Sequence, residues 1–207
     1  MEWTGFREVY MAGDTVGFDL VVDELVVRLA DLLHRRAGRE VLFYMKMTVP
    51  PVYRDGRMRF YVGFKGDPVS EVYIPRQVAS AVEVRSLEPD YPPSYSYAVV
   101  HTHPPGVDRF SRVDVEGVNV NHTVSLVVTD GRLADAVVSF NLSGYIVEAR
   151  PRVTVAHRRL VLSSLAPGFG LVPLGPLGDG EVERVFKPLL ESIVGRQGGR
   201  EAVVVAE

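Results

Sequence analysis

Cysteine is absent from the 207 residues. That excludes disulfides, iron–sulfur clusters, thiol catalysis and every Cys-based structural zinc site. Any zinc would have to be held by histidine and carboxylate, the ligand style of catalytic centres. Lysine is nearly absent too: Lys46, Lys65 and Lys187 stand against a large excess of arginine, which with the missing cysteine fits a thermophile or a GC-rich genome. No long apolar run occurs, and stretches such as Leu25 to Ala30 are short and bounded by charge. No segment is therefore expected to span a bilayer, and no membrane partner is expected. Met1 to Tyr10 lacks the basic-then-apolar pattern of a signal peptide, so a soluble cytoplasmic protein is the expectation. The formal net charge of -3 provides no global field for nucleic acid, although a local basic patch would escape such a count.

What is present is ordinary for a globular chain that buries its own core: 46% hydrophobic and 24% charged. Residues 18 to 37 set Val22, Leu25, Val26, Leu29, Leu32 and Leu33 at the three-and-four spacing of an amphipathic helix. Asp19 suits its start, Arg35 and Arg36 its last turn, and Gly38 its stop. Glu40 to Met47, Arg57 to Phe64, Glu71 to Ile74 and Ala81 to Arg85 read as strands, with Asp55-Gly56 as a hairpin turn. Leu87 to Ser96 is a Pro-rich loop. Tyr97 to Val100 is a short buried strand running into His101, and Ser111 to Val120 opens a helix. Ser125 to Thr129, Leu133 to Phe140 and Tyr145 to Val153 are further strands, with Asp130-Gly131 turning between the first two. Residues 166 to 180 read as a Gly/Pro-rich linker, Glu181 to Val194 as a helix interrupted near Pro188, and Glu201 to Glu207 as a terminal strand or tail. Mixed helices and strands make the class α/β or α+β.

The chemistry is concentrated in one stretch: His101-Thr-His103-Pro-Pro-Gly-Val-Asp-Arg-Phe-Ser111-Arg-Val-Asp114. Histidines at i and i+2 on a strand share a face. Asp114, at the start of the following helix, completes two imidazoles and a carboxylate, enough for a catalytic zinc with one position open to water.

His-x-His, seven residues, Ser, two residues, Asp resembles the JAMM motif of the MPN+ (Mov34/PAD-1, JAB) zinc metalloproteases, in an archaeal-type or prokaryotic form. The resemblance spans roughly residues 5 to 153. It implies an MPN/cytidine-deaminase-like mixed sheet flanked by helices over residues 1–153, with residues 154–207 as a C-terminal extension. It implies zinc on His101, His103 and Asp114. Glu40, opening a strand after the first long helix, matches the family's general base, which takes a proton from the attacking water and delivers it to the leaving amine. Ser111 matches its donor to the oxyanion. Glu71 also opens a strand and is the rival base. The family usually has glycines a few positions after its Glu, where this chain has Leu42, Phe43 and Tyr44, and usually has Ser where this chain has Thr102. The implied activity is a metallopeptidase or isopeptidase, deubiquitinase-like, whose substrate is a ubiquitin-like protein or its conjugates. A non-enzymatic MPN scaffold that keeps its metal is the alternative from another class. A RadC-like protein tied to DNA repair is a third, weakened by the acidic charge. The sequence leaves room for a homo-oligomer.

The remaining histidines have plainer readings. His34 reads as solvated or capping at a charged helix end, His157 as exposed in a basic cluster, and His122 as a turn residue. Met45 and Met47 read as core filling, Tyr91 to Tyr97 as a rigid loop, and Gly198-Gly199 as a turn.

Overall fold

The computed structural model describes residues 10–47, 49–65, 68–75, 97–112, 114, 123–142, 145–156, 158–160, 171–173 and 178–195. The expected strand at 81–85, the Pro-rich loop at 87–96, most of the helix from 111 to 120, and the tail at 201–207 lie outside them. So do His122, His157, Gly198 and Gly199.

Strand β1 (Gly17–Asp23) leads directly into helix α1 (Glu24–Ala37). This corrects the single helix expected over 18–37. Phe18-Asp-Leu-Val-Val-Asp23 alternates, so Leu20 and Val22 are buried, while Asp19 pairs with Arg57 and Arg152. The helix cap is accordingly Asp23, not Asp19: its carboxylate accepts a hydrogen bond of 2.9 Å from the Leu25 amide. Gly38 ends the helix in the left-handed region at φ 65°, and its amide donates to the His34 carbonyl at 2.9 Å. A side chain there is strained, so Gly38→Ala should cost about 1 kcal/mol of unfolding free energy in denaturant titration.

The remaining strands follow as β2 (Leu42–Lys46), β3 (Val52–Arg54), β4 (Arg57–Val62), β5 (Val72–Tyr73) and β6 (Tyr97–Thr102). Then come β7 (Val124–Thr129), β8 (Arg132–Leu142), β9 (Tyr145–Ala149), β10 (Arg152–Ala156), β11 (Arg158–Leu160) and β12 (Leu171–Pro173). Helix α2 (Asp179–Gly195) follows. Six strands form one sheet in the order β5-β2-β6-β7-β8-β9; a second sheet runs β10-β1-β4-β3, and β11 pairs with β12. The fold is thus mixed α+β, as the class expected. Both hairpin turns are where Asp-Gly predicted them, with Asp55, Gly56, Asp130 and Gly131 all at positive φ.

Helices α1 and α2 pack together. One face of the six-stranded sheet supplies Phe43, Met45, Val100, Leu126 and Val128 to the main core, together with Leu29 and Leu33 of α1 and Phe186 and Leu190 of α2. The 153/154 boundary expected from sequence falls inside β10, which pairs with β1, and α2 shares the core of the preceding residues. Helix α2 also runs unbroken through Pro188, with Phe186, Leu189, Leu190 and Ile193 buried on either side of it. That burial outweighs the hydrogen bond the proline removes. Among the described residues, no helix is long and apolar enough to cross a membrane.

Candidate metal centre

Strands β6 and β7 are parallel, so the chain must cross over between them. The crossover leaves the end of β6 directly after His101 and Thr102. Alternation along β6 sends Val100 and Thr102 to the helix side and Val99 and His101 to the other. The amide of His103 donates to the Val128 carbonyl at 3.0 Å, which continues the ladder one residue past the strand and keeps His103 in phase with His101.

The imidazoles converge. Nε2 of His101 and Nε2 of His103 lie 3.0 Å apart. Asp114 closes the group, with Oδ1 at 3.5 Å from His101 Nε2 and Oδ2 at 3.3 Å from His103 Nε2. The three donors all fall within 4.8 Å of one another. A tetrahedral ion with bonds of about 2.0–2.1 Å holds its ligand atoms about 3.3 Å apart, so two imidazoles and a carboxylate gathered this closely are compatible with a zinc ion. Both histidines are buried and Asp114 half-buried. Burial pushes the Asp114 carboxyl up. Hydrogen bonds from His101 and from Ser111 outweigh that and hold it well below the usual carboxylate range. A carboxylate already charged binds a cation without first losing a proton. His103 Nδ1 lies 3.3 Å from the Val107 carbonyl; a proton shared there leaves Nε2 as the lone pair facing the centre.

Ser111 and Asp114 cap one another. The Asp114 amide donates to Ser111 Oγ at 3.2 Å, and the Ser111 amide donates to Asp114 Oδ2 at 2.7 Å. Arg112 and Asp114 are helical, so this is the reciprocal pattern of a capping box, with Asp in the usual Glu position. The cap fixes the carboxylate that faces the histidines.

The loop between His103 and Ser111 is tied to the β7–β8 hairpin. Thr129 Oγ1 donates to the Pro104 carbonyl at 3.0 Å, and the Gly106 amide donates to Asp130 at 3.4 Å. Arg132 pairs with Asp108 at 2.9 Å, and the Phe110 amide donates to Asp135 Oδ2 at 3.3 Å. Asp135 also holds Arg150. Phe110 packs against His101 with ring centroids 5.5 Å apart. Sequence reasoning missed Thr129, Asp130, Arg132 and Asp135, because nothing in a local pattern shows which loop a hairpin will anchor.

Glu40 and Glu71 are placed very differently. Leu42 pairs with His101, and the Thr102 amide donates to the Val41 carbonyl at 2.9 Å. Exposed Glu40 precedes Leu42 by two residues, so it lies just before the end of β2 that meets His101. Glu71 lies at the other end of β2: its carbonyl accepts from Lys46, whose partner is Tyr97. Four residues of strand, about 13 Å, separate that level from His101. Its carboxylate is buried and accepts from the Lys65 amide at 2.8 Å, which gives it a structural task.

His34 corrects the solvated or capping reading. Its Nδ1 lies 2.8 Å from the Oγ1 of Thr102, the residue between His101 and His103 in the chain.

No protein-family model matches the chain, and no curated protein matches it. Among solved structures, a JAB1/MPN domain protein from Archaeoglobus fulgidus is similar at 11% identity and a TM-score of 0.31, over 66% of this chain and 98% of that one.

Proposed function

We propose that the chain is a zinc-dependent peptidase or isopeptidase that hydrolyses the bond at the C-terminus of a ubiquitin-like protein. The observation that carries this reading is the convergence of two imidazole Nε2 atoms and one charged carboxylate; we assign the base to Glu40, which precedes the strand paired with His101. His101, His103 and Asp114 hold the zinc. When bound, it supplies Lewis acidity, polarising a carbonyl and acidifying water. Glu40 serves as general base toward the attacking water and as general acid toward the leaving amine, since a carboxylate beside the centre yet outside the ligand set is available to move protons. Ser111 Oγ accepts the Asp114 amide and keeps its own proton to donate toward the oxyanion. The loop from Pro104 to Phe110, pinned to the β7–β8 hairpin, holds this donor set without reorganisation during the reaction.

The direct test is metal analysis of protein purified in zinc, with cleavage of a β-grasp ubiquitin-like protein fused through its C-terminal glycines to a reporter. Bound zinc with cleavage supports the reading. Bound zinc without cleavage points instead to an MPN scaffold that retains its metal.

Ser111→Ala should show two separable losses. Removing the cap should lower stability by about 0.5–2 kcal/mol in thermal or denaturant unfolding. Removing the donor should lower kcat by ~10²–10³-fold with little change in KM. A variant that melts lower yet turns over normally with zinc present would leave Ser111 as a cap alone.

A further inference from the structure

Thr102 occupies the position between the two metal-facing histidines, and its side chain points the other way, toward α1. It is buried, at 2% exposed. Its hydroxyl accepts the Val41 amide at 2.9 Å and meets His34 Nδ1 at 2.8 Å. Its own amide donates to the Val41 carbonyl at 2.9 Å. The β2–β6 ladder therefore ends in an unusual way: the Val41 N–H goes to a side-chain hydroxyl. Glu40 is the next residue. On its other side the chain returns within two residues to Gly38, whose amide is bonded to the His34 carbonyl. His34 thus contributes at both ends of the short connection, through its carbonyl to Gly38 and through its ring to Thr102.

We infer that Thr102 and His34 form a clip that positions Glu40 against the metal-facing histidines, making both residues positioning residues for the hydrolysis. This rests on the role given above to Glu40. Val41 is buried in the main core while its neighbour Glu40 is exposed, so packing holds the Val41 side chain and the Thr102 hydroxyl fixes its backbone. The placement of Glu40 is set by the anchors on either side. The Thr102 hydroxyl is well suited to the task because its backbone also carries the two histidines. Whatever moves β6 moves Val41 with it, and the base keeps its distance from the ligands. His34 orients the hydroxyl: with one lone pair taken by the Val41 N–H, the ring nitrogen accepts the hydroxyl proton or donates to the second lone pair. A misplacement of about 1 Å in such a group costs on the order of 10²-fold in rate.

The test compares Thr102→Val, which keeps shape and branching but has no acceptor, with Thr102→Ser, which restores it. Amide hydrogen exchange of Val41 reads the clip directly, without substrate. Protection should fall about tenfold in Thr102→Val, the equivalent of one hydrogen bond, and return in Thr102→Ser. Zinc content should stay at the wild-type level in both. Cleavage of the ubiquitin-like fusion should fall on the order of 10²-fold in kcat for Thr102→Val, with KM little changed and kcat rescued by serine. His34→Leu, on a half-buried helix position, should move exchange and kcat in the same direction and serves if Thr102→Val folds poorly. Unchanged exchange in both variants would overturn the clip. Faster exchange with normal kcat would overturn its link to Glu40, as would a kcat loss matched by loss of zinc, which would assign Thr102 to holding the histidines. If Glu40→Gln itself cleaves normally, it is the assignment of the base that fails, whatever Thr102 does; a wild type that binds zinc and cleaves nothing removes the reaction and the positioning role together.

Discussion

Glu40→Gln is expected to bind zinc like the wild type and to cleave the fusion ~10²–10⁴-fold more slowly, the usual worth of a general acid–base group. The substitution keeps size and hydrogen-bonding atoms but removes the basic carboxylate. Glu40 is exposed at the mouth of the β2–β6 register and belongs to none of the three converging donors, so neither fold nor metal should depend on it. The loss should fall on kcat, because proton transfer matters in the transition state and little in the bound ground state. Glu71→Gln is the matched control. Its carbonyl bond to Lys46 is unaffected, and the amide oxygen can still accept from Lys65, so stability should fall modestly and turnover stay near normal. An active Glu40→Gln beside an inactive Glu71→Gln would reverse the two roles. It would also require the chain to bring together groups that β2 now holds at opposite ends.

The contrast between these two glutamates shows what the sequence could and could not disclose. Both open a strand, and the strand pattern alone leaves them equal. They separate only through pairing: β2 lies antiparallel to β6, so its first residues meet the end of β6, where the histidines are. Residues 18–23 failed for a related reason. Val22 satisfies both the helical and the alternating period, so local pattern extends the helix backwards. What selects the strand is β1 lying between β4 and β10, with Asp19 bridged to Arg57 and to Arg152. Those partners are remote in the chain and carry no local signal. The motif itself was legible because it is short-range: alternation puts His101 and His103 on one face, and one turn of helix brings Asp114 to its cap. Its supports were not legible, because Thr129, Asp130, Asp135 and His34 act across separate elements. Thr102 could have been suspected, since alternation turns it toward the helix, where a buried hydroxyl needs partners.

Replacing the ligands should have the largest effect of all, and the three substitutions should differ in kind. His101→Ala removes a buried Nε2 and little else in hydrogen bonding, since no partner of its Nδ1 is found among the described residues. It should abolish stoichiometric zinc; the loop loses its Phe110 packing but keeps its ties to the β7–β8 hairpin. His103→Ala removes a ligand and the contact to the Val107 carbonyl together, so zinc loss should come with a looser Pro104–Phe110 loop, visible as faster amide exchange there. Asp114→Asn is the most informative. Its side-chain oxygen can still accept the Ser111 amide, so the cap persists, while the charge that suits a cation is gone. Zinc affinity should fall by more than the ~10–100-fold typical of losing an outer partner, and the metal-free protein should also melt lower, because the charged carboxylate held by His101 and Ser111 contributes to stability. Ser111→Ala is its mirror image, losing the cap and keeping the ligand. Metal content by elemental analysis therefore sorts the four variants: lost in the three ligand substitutions and kept in Ser111→Ala. A wild-type protein purified in excess zinc without bound metal, or a His101→Ala variant that binds as tightly as wild type, would show that these donors converge for hydrogen bonding alone. In that case the 3.0 Å approach of the two rings is a proton shared between nitrogens, and hydrolysis loses its centre.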